Sequence, residues 1–418
     1  MEDVLLINEN TIKYNLINLR QLVFEVTDRC NLKCKYCAYS DLYDDRDERE
    51  GLMMPLQYAI EMIDYLQQIW QEYSIKNTER FVHISFYGGE PLLNMELVKG
   101  IIEYVENLPY TGRTFQYGMT TNAMLLDRYM SFIQEKDFQL LISLDGDESG
   151  HSYRVDNNGV NSFTRVMSNV RKLQQEYPEY FKAKVSFNSV LNDRNSVESI
   201  LNFIKNEFDK QPAISEINPT GVRPEKRKDF NGIFQSSFQS LKDSSNVEEI
   251  EEELFVKGPK VKQLTDYIYA HSGNVYSNYS HLRTKKESYY KIIPGTCTPF
   301  GKKMFITVKG KILSCERIGH QYSVGKVTEE GVLLNFKSIV AQHNMYISKF
   351  MNQCMICAES QTCKKCVYQM DETRQEKGIC PGYQSEKQME KKKAAAFACL
   401  REHPGMYKRI LREVTIRG

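Results

Sequence analysis

The sequence has almost no excess charge and no long hydrophobic run. Its 418 residues include 55 basic and 54 acidic side chains, a formal net charge of +1, so electrostatic attraction to nucleic acid or to an anionic membrane is not expected. No apolar stretch approaches the roughly 18 residues that a transmembrane helix needs. The stretch 1–6 lacks the basic segment and apolar core of a signal peptide. We therefore expect a cytoplasmic protein that binds neither membrane nor nucleic acid.

The sequence does contain eleven cysteines. Because disulfides are rare in the cytoplasm, metal binding explains this number better than disulfides do. The first three, Cys30, Cys34 and Cys37, follow the apolar run 22–26, which indicates a buried strand. Three neighbouring thiolates favour zinc or an iron–sulfur cluster, and three protein ligands leave one metal position open for chemistry. A three-thiolate zinc site and a chance grouping in a loop are the alternatives.

Strands and helices alternate after this loop. The sequence pattern predicts strands at 81–86, 117–121, 140–144, 185–190 and 214–217, and helices at 55–71, 97–105, 126–135, 162–176 and 194–209. This alternation predicts an α/β fold with a parallel sheet and right-handed crossovers, in which ligands gather at the carboxyl ends of the strands. Edge strands are expected at 4–7 and 14–17, and an exposed loop at 39–52.

The Cys-x3-Cys-x2-Cys spacing, with Tyr36 before the last cysteine, resembles the cluster motif of the radical S-adenosylmethionine (SAM) enzymes. The resemblance implies that Cys30, Cys34 and Cys37 bind a 4Fe–4S cluster whose fourth iron binds SAM. Reduction of such a cluster cleaves SAM to a 5′-deoxyadenosyl radical. The resemblance also implies that the α/β units form a partial (β/α)6 barrel.

A glycine motif follows the second predicted strand. The residues Gly88, Gly89, Glu90 and Pro91 resemble the family motif that contacts the amino group of SAM. Paired glycines let a backbone approach a ligand closely, and Glu90 can accept a hydrogen bond from an ammonium group. A simple Gly-Gly turn is the alternative for this motif on its own.

Further SAM contacts are implied at the ends of the later strands. Arg154 stands where related maturases have an arginine near the SAM carboxylate, which a guanidinium fork suits; a surface ion pair is the alternative. Ser143 resembles the residue that holds this carboxylate or the ribose, and Leu191 is expected to contact adenine unless it serves packing alone. The full set of cofactor-binding residues implied by the resemblance is Tyr36, Gly88, Gly89, Glu90, Pro91, Thr121, Asn122, Ser143, Arg154 and Leu191.

A second cysteine group lies near the C-terminus. Its pattern is Cys297, twelve residues, Gly310, four residues, Cys315, then Cys354-x2-Cys357-x5-Cys363-x2-Cys366 and Cys380. Residues 304–314 predict a β-hairpin that uses Gly310 in its turn. The pattern resembles the SPASM domain, which carries auxiliary 4Fe–4S clusters, although that domain usually has three residues inside its last close pair. A pair of zinc ribbons is the alternative.

By this resemblance the second group binds two clusters. The outer cluster would have four ligands, Cys354, Cys357, Cys363 and Cys380. The inner cluster would have three, Cys297, Cys315 and Cys366, and its fourth iron would stay free. Cys399 lies in an alanine-rich tail and is not expected to be a ligand. The implied cofactors are therefore SAM and three 4Fe–4S clusters.

Five regions are expected along the chain. They are an N-terminal extension (1–20), a radical SAM partial barrel (21–221), a bridging region (222–296), a SPASM domain (297–384) and a helical tail (385–418). The bridging region is rich in tyrosine, which suits either a peptide-binding wall or an ordinary core. These tyrosines are Tyr267, Tyr269, Tyr276, Tyr279, Tyr289 and Tyr290.

The resemblance implies a radical SAM oxidoreductase that modifies peptides. The expected reaction joins side chains, through a thioether or a C–C bond, in a ribosomally synthesised (RiPP) precursor peptide that carries a leader. A flavodoxin- or ferredoxin-type protein would be the reductant. An anaerobic sulfatase-maturating enzyme, which forms formylglycine from Cys or Ser, is the alternative. A non-catalytic electron carrier would need neither the glycine motif nor Arg154.

Glu316, directly after Cys315, is the candidate catalytic base. Sulfatase maturases resemble this stretch but have aspartate at that position, which favours peptide maturation here. The structural alternative is a carboxylate held by Lys302 or Arg317.

Overall fold

A ten-stranded sheet organises the larger of two units in the chain. The computed structural model describes residues 6–73, 81–109, 113–254, 259–271, 295–360, 363–376 and 378–414. The larger unit contains Asn8–Ser244 and Cys297–Val340. The smaller unit contains the described residues of Met1–Ile7, Ser245–Thr296 and Ala341–Gly418. Within the described part of the chain, no helix has both the length and the apolar character needed to cross a membrane.

The first six strands pair in parallel and in sequence order. They are β1 (Gln21–Thr27), β2 (Phe81–Gly88), β3 (Thr114–Thr121), β4 (Gln139–Ser143), β5 (Val185–Leu191) and β6 (Ala213–Glu216). The helices that precede and connect them are α1 (Glu9–Ile17), α2 (Leu56–Glu72), α3 (Met95–Glu106), α4 (Met130–Glu135), α5 (Phe163–Glu176), α6 (Pro178–Lys184) and α7 (Val197–Phe208). Six parallel strands joined by helical crossovers are typical of a partial (β/α)6 barrel, which confirms the predicted α/β fold class.

The two faces of this sheet differ in burial. On one face, Ile84 of β2 and Phe187 of β5 are fully buried. On the other face, Ser85, Thr120 and Asn188 are only half-buried. Successive side chains of a strand point to opposite faces, so one face packs on the helices and the other is open and polar. The carboxyl ends of the strands border this open face.

Four more strands extend the sheet beyond β1. The strand β7 (Met304–Ile306) pairs in parallel with β1, and β8 (Lys311–Leu313), β9 (Gly325–Thr328) and β10 (Gly331–Leu334) follow in antiparallel order. The predicted hairpin is confirmed: Gly310 in the β7–β8 turn has φ +78°, a conformation that favours glycine.

The compact units differ from the predicted regions. The expected SPASM domain 297–384 is divided, because 297–340 belongs to the larger unit and 341–384 to the smaller one. The bridging region is divided in the same way near residue 244. Its helices α8 (Arg227–Ile233) and α9 (Ser237–Lys242) belong to the larger unit, and α10 (Val247–Glu253) and α11 (Pro259–His271) to the smaller one.

Helices dominate the C-terminal part of the chain. They are α12 (Phe336–Ser348), α13 (Met351–Ile356), α14 (Glu386–Glu402) and α15 (Pro404–Glu413). Val261, Leu264 and Ile268 of α11 form a core with Ile410 of α15, and Tyr267, Ala396 and Cys399 pack against it. Tyr267 is therefore a packing residue, whereas Tyr276, Tyr279, Tyr289, Tyr290 and the side chain of Tyr269 lie outside the described residues.

Two local predictions were wrong. Residues 14–17 lie in helix α1, not in an edge strand, because Asn8 and Thr11 form a capping box that starts the helix. Ile12 and Leu16, one helical turn apart, are fully buried. The loop 39–52 is not simply exposed, since Leu42, Tyr43 and Asp45 are buried. Residues 4 and 5 of the other expected edge strand lie outside the described residues.

Candidate functional site

The first three cysteines lie in a loop that starts at the carboxyl end of β1. Backbone bonds from Lys33 N to Val155 O (2.7 Å) and from Lys35 N to Tyr153 O (3.2 Å) tie this loop to the segment after β4. We call residues 28–37 the cysteine loop. The pairing of Cys37 N with Cys34 O (3.1 Å) closes its last turn. The loop is thus held between the ends of the strands, where the parallel sheet predicts a ligand site.

The glycine motif supports the cysteine loop. Gly89 N donates to Thr27 O and Glu90 N to Arg29 O, both at 2.8 Å. A Cβ on Gly88 would overlap the carbonyl oxygen of Thr27, and one on Gly89 would overlap that of Arg29. Sequence reasoning expected the paired glycines to admit a ligand. In the structure, Gly88 instead approaches Thr27 at the end of β1, and Gly89 approaches Arg29 in the cysteine loop.

The three thiols are half-buried and lie among charged groups. Burial raises the pKa of Cys30 to about 11 and that of Cys34 to about 12. Negative charge on the neighbouring cysteines also raises both pKa values, whereas the Arg154 guanidinium lowers that of Cys34. Three donors approach these sulfurs: Leu32 N (3.4 Å) and Asn122 Nδ2 (3.8 Å) at Cys30, and Arg49 Nη2 (3.6 Å) at Cys37.

This donor set fits an iron–sulfur cluster. The thiolate, not the thiol, is the metal ligand, and buried thiols with raised pKa values become thiolates when a positively charged metal group stabilises them. Backbone and side-chain donors to sulfur are also typical of cluster sites. Among the described residues, no group of three or more His, Cys, Asp or Glu converges on one point where a single metal ion could be held.

Glu90 connects the ends of two strands. Its carboxylate is fully buried and accepts hydrogen bonds from Thr121 Oγ1 (2.6 Å), Asn122 N (2.7 Å) and Leu92 N (3.1 Å). Burial raises its pKa to about 7 although these donors oppose the shift. Pro91 begins the short buried 3₁₀ turn Pro91–Asn94. The carboxylate therefore fixes the backbone around the cysteine loop, and a direct contact of this side chain with SAM stays a prediction.

Asn122 has a second role beside Cys30. Its side chain donates to Asn31 Oδ1 at 2.8 Å and thereby joins β3 to the cysteine loop. The next residue, Ala123, has φ +60°. This left-handed conformation favours glycine, although alanine stands here.

Arg154 forms a buried ion pair. Its Nε and Nη2 bind the two carboxylate oxygens of Asp145 at 2.9 and 3.0 Å, and the Tyr36 hydroxyl donates to the same carboxylate. Asp145 is fully buried and also accepts from Val190 N at 2.9 Å. The alternative reading of Arg154 as a surface ion pair is therefore wrong, because the pair with Asp145 is buried. The predicted contact of Arg154 with the SAM carboxylate would use the guanidinium atoms that Asp145 leaves.

Ser143 and Leu191 end neighbouring strands but differ in how far their side chains are exposed. Ser143, at the end of β4, is 9% exposed, whereas Leu191, at the end of β5, has no exposed side-chain surface. The preceding residue, Val190, packs with Cys34 against a cluster that contains Tyr36 and Tyr153. Strand alternation turns the Leu191 side chain to the buried face and Val190 to the open one, so the apolar and backbone contacts to adenine expected at the end of β5 stay a prediction.

Several site residues were missed at the sequence level. The sequence analysis assigned no role to Asp145, although it binds Arg154 and Tyr36. Asp28 accepts from Leu52 N (2.6 Å) and Glu50 N (2.9 Å) and so orders the segment that follows the cysteine loop. Arg49 approaches Cys37 from this segment. None of the three stands at a recognisable spacing, so no pattern signals them.

Glu316 lies beside Cys315 in the larger unit. Its Oε1 binds Lys303 Nζ at 3.0 Å, and Cys315 Sγ lies 3.4 Å from its Oε2. Burial raises the pKa of Glu316, but Lys303 outweighs it and leaves the pKa below its usual value. The partner of the carboxylate is Lys303, not Lys302, and Arg317 Nε is 4.0 Å away. Glu316 is thus an ionised but weak base.

Four cysteines of the second group line one cavity in the smaller unit. Cys354, Cys357, Cys363 and Cys380 surround a space of about 220 Å³, together with Phe350, Met370 and other residues. These are the four ligands expected for the outer cluster. Cys366, expected in the inner cluster, does not line this cavity. Cys297, an exposed residue, and Cys315 belong to the larger unit, so the ligand set of the inner cluster stays a prediction.

Part of the chain matches a known protein family. Residues 24–206 match the family described as the Radical SAM superfamily. A cysteine-type anaerobic sulfatase-maturating enzyme of Clostridium novyi is 26% identical over 242 residues, which cover 54% of this chain and 61% of the relative. The radical SAM cyclopropyl synthase TigE of Paramaledivibacter caminithermalis is 23% identical over 352 residues, which cover 81% of this chain and 66% of the relative. Each relative is thus matched over less than two thirds of its length.

A solved structure has the same fold. Native anSMEcpe with bound AdoMet and Cp18Cys peptide matches with a TM-score of 0.60 and 17% sequence identity. The match covers 94% of this chain and 99% of that chain. At this identity the likeness shows the fold.

Proposed function

We propose that the chain is a peptide maturase, in which residues 24–206, the part that matches the Radical SAM superfamily, form the radical SAM domain. Its proposed reaction is the oxidative joining of side chains in a ribosomally synthesised precursor peptide. The observation that carries the proposal is the cavity of Cys354, Cys357, Cys363 and Cys380. These four cysteines come together in the combination that the SPASM pattern of peptide and protein maturases implies for an auxiliary cluster.

The comparisons support a peptide substrate. The solved structure with this fold contains both AdoMet and a peptide. The match to the cyclopropyl synthase extends over 81% of the chain, against 54% for the sulfatase maturase. The open, polar face of the sheet offers half-buried side chains such as Ser85, Thr120 and Asn188, which can form hydrogen bonds with a peptide backbone.

Each group of residues has a proposed task. The thiolates of Cys30, Cys34 and Cys37 bind the first cluster, and when bound, this cluster and SAM supply the radical that abstracts hydrogen from the substrate. Gly88 and Gly89 fix the cysteine loop. The pair of Asp145 and Arg154 shapes the wall beside Cys34. Glu316 is the candidate to take the proton that the substrate loses, at its Oε2 beside Cys315.

Oxidation of the substrate releases electrons, and auxiliary clusters can accept them. We propose two of them, one in the four-cysteine cavity and one at Cys297, Cys315 and Cys366. The partners of the enzyme are then a precursor with its leader peptide and a flavodoxin- or ferredoxin-type reductant. None of the eleven cysteines, all of them described, forms a disulfide. Free thiols are typical of a reducing compartment, so we propose the cytoplasm.

Co-expression with short open reading frames from neighbouring genes tests the reaction. A crosslinked peptide loses two hydrogens, retains its sulfur, and resists backbone fragmentation between the joined residues in tandem mass spectrometry. The control is the variant with alanine at Cys30, Cys34 and Cys37. If the reconstituted enzyme cleaves SAM but modifies none of the candidate peptides, and instead modifies a sulfatase peptide, the proposed substrate class is wrong.

Sulfatase maturation is the second candidate, and the match to the Clostridium novyi relative favours it. Its product carries an aldehyde, which a hydroxylamine probe labels and a thioether or C–C crosslink does not. Incubation of the enzyme with a sulfatase peptide that contains Cys, and separately with one that contains Ser, therefore distinguishes the two candidates directly.

A further inference from the structure

Arg49 is a half-buried cation beside the first cysteine group, and no motif assigns it a role. The chain around it is ordered by Asp28, whose carboxylate accepts from Glu50 N at 2.9 Å and from Leu52 N at 2.6 Å. An isolated bridge between Thr27 and Met53 adds to this anchoring. The backbone of Arg49 is therefore held at a set distance from the cysteine loop.

A fixed aromatic ring orients the Arg49 side chain. The guanidinium carbon lies 4.4 Å from the centre of the Tyr39 ring, within the range of a cation–π interaction. The Tyr39 hydroxyl donates to the buried carboxylate of Glu25, which also accepts from Val308 N at 2.9 Å. The Tyr39 ring therefore cannot rotate without losing its hydrogen bond to Glu25. Its face stays oriented towards the guanidinium.

The guanidinium points to sulfur and not to a carboxylate. Arg49 Nη2 lies 3.6 Å from Cys37 Sγ, and no carboxylate of the described residues lies within 4 Å of Arg49 in an ion pair. Its Nε is buried and has no hydrogen-bond partner there. The polar partner of the guanidinium is therefore the sulfur of Cys37.

We propose that Arg49 is the charge partner of the Cys37 ligand and sets the potential at which the first cluster accepts an electron. The inference rests on the proposed function only in that Cys30, Cys34 and Cys37 bind a cluster. Reduction adds one electron from a low-potential donor and makes the cluster one unit more negative. A nearby cation and a hydrogen bond to a ligand sulfur stabilise the reduced state more than the oxidised state, which raises the reduction potential.

The test is a redox titration of the holoenzyme followed by electron paramagnetic resonance. Subtracting the spectrum of the variant with alanine at Cys30, Cys34 and Cys37 isolates the signal of the first cluster. Relative to wild type, Arg49→Gln should hold the same amount of iron but show up to a tenfold lower ratio of reduced to oxidised first cluster at a fixed potential. A tenfold change in this one-electron ratio corresponds to about 59 mV.

Two further variants separate charge from packing. Arg49→Lys keeps the cation and should shift the ratio less than Arg49→Gln does. Arg171→Gln removes a guanidinium from a surface ion pair with Glu207 and should leave the ratio unchanged.

Unchanged ratios in Arg49→Gln with full iron content would overturn the proposal. So would loss of the first cluster from both Arg49 variants with normal folding by circular dichroism, because Arg49 would then serve cluster retention. If the wild type itself shows no signal that depends on Cys30, Cys34 and Cys37, the proposed function fails, and the iron analysis distinguishes this result from the others.

Discussion

The contact of Gly89 with the cysteine loop makes a sharp prediction for Gly89→Ala. The added Cβ would overlap Arg29 O and lie 2.8 Å from Asp28 O. The loop must therefore move away, and the bonds from Gly89 N to Thr27 O and from Glu90 N to Arg29 O, both 2.8 Å, lengthen or break. Gly89 does not have a positive φ, so the effect is steric and not a matter of backbone strain.

The size of the effect follows from these two bonds and the overlap. A buried backbone group that loses its partner costs about 1–3 kcal/mol, and overpacking costs about 1–3 kcal/mol. The two bonds and the overlap together come to about 3–9 kcal/mol, which is a large part of the stability of a domain. Because the strain acts on one loop at the edge of a sheet, we expect the loop to open locally while the sheet stays folded.

Iron analysis and SAM cleavage measure this opening. With three 4Fe–4S clusters the wild type should contain about twelve iron atoms per chain, and Gly89→Ala about eight. The variant should also produce no 5′-deoxyadenosine, although its far-ultraviolet circular dichroism is normal. Gly232→Ala is the matched control, because nothing lies within 4 Å of its added Cβ in helix α8. Full iron content and wild-type SAM cleavage in Gly89→Ala would refute the reasoning.

Four other predictions address the clusters, the base and the pH dependence. Replacement of Cys30, Cys34 and Cys37 together by alanine should abolish 5′-deoxyadenosine formation under reducing, anaerobic conditions; any residual production contradicts their role. Glu316→Gln should slow product formation if this weak base takes the substrate proton, and an unchanged rate rules that role out. Cys399→Ala should leave the iron content and cluster spectra intact, since Cys399 packs against the α11–α15 core; loss of one auxiliary cluster would show that it is a ligand. Burial lowers the pKa of His151 from 6.5 to about 4, so its contribution to stability is complete above pH 6.5 and is lost as the pH falls towards 4; urea unfolding should show a shallower decline with pH in His151→Gln, and an equal decline would contradict this.

The strands of the sheet were predictable because each is encoded by residues that are neighbours in the sequence. Each predicted strand has a run of apolar or alternating residues, and the run 22–26 became β1 with a small shift of its ends. The grouping of Cys354, Cys357, Cys363 and Cys380 around one cavity was also predictable, because their spacing is a pattern in the chain. Local spacing does not require knowledge of distant residues.

The parts that failed depend on contacts that local patterns do not contain. The pairing of Arg154 with Asp145, and of Arg49 with Cys37, depends on side chains that meet only after folding. Which of Val190 and Leu191 turns its side chain to the open face of the sheet also depends on how β5 pairs with its neighbours. Helix α1 had a usable signal, namely Asn8 before a helical repeat of Ile12 and Leu16, but a short apolar run can also be a strand.

The place of β7 beside β1 has a consequence for synthesis of the chain on the ribosome. Leu22, Val23 and Phe24 pair with Met304, Phe305 and Ile306, so one edge of β1 has no strand partner until the ribosome has made most of the chain. An unpaired apolar edge is a template for aggregation. A shortened protein that stops before β7 would keep this edge permanently exposed, and one that continues to Val340 would cover it. Expression of the isolated barrel should therefore include β7–β10.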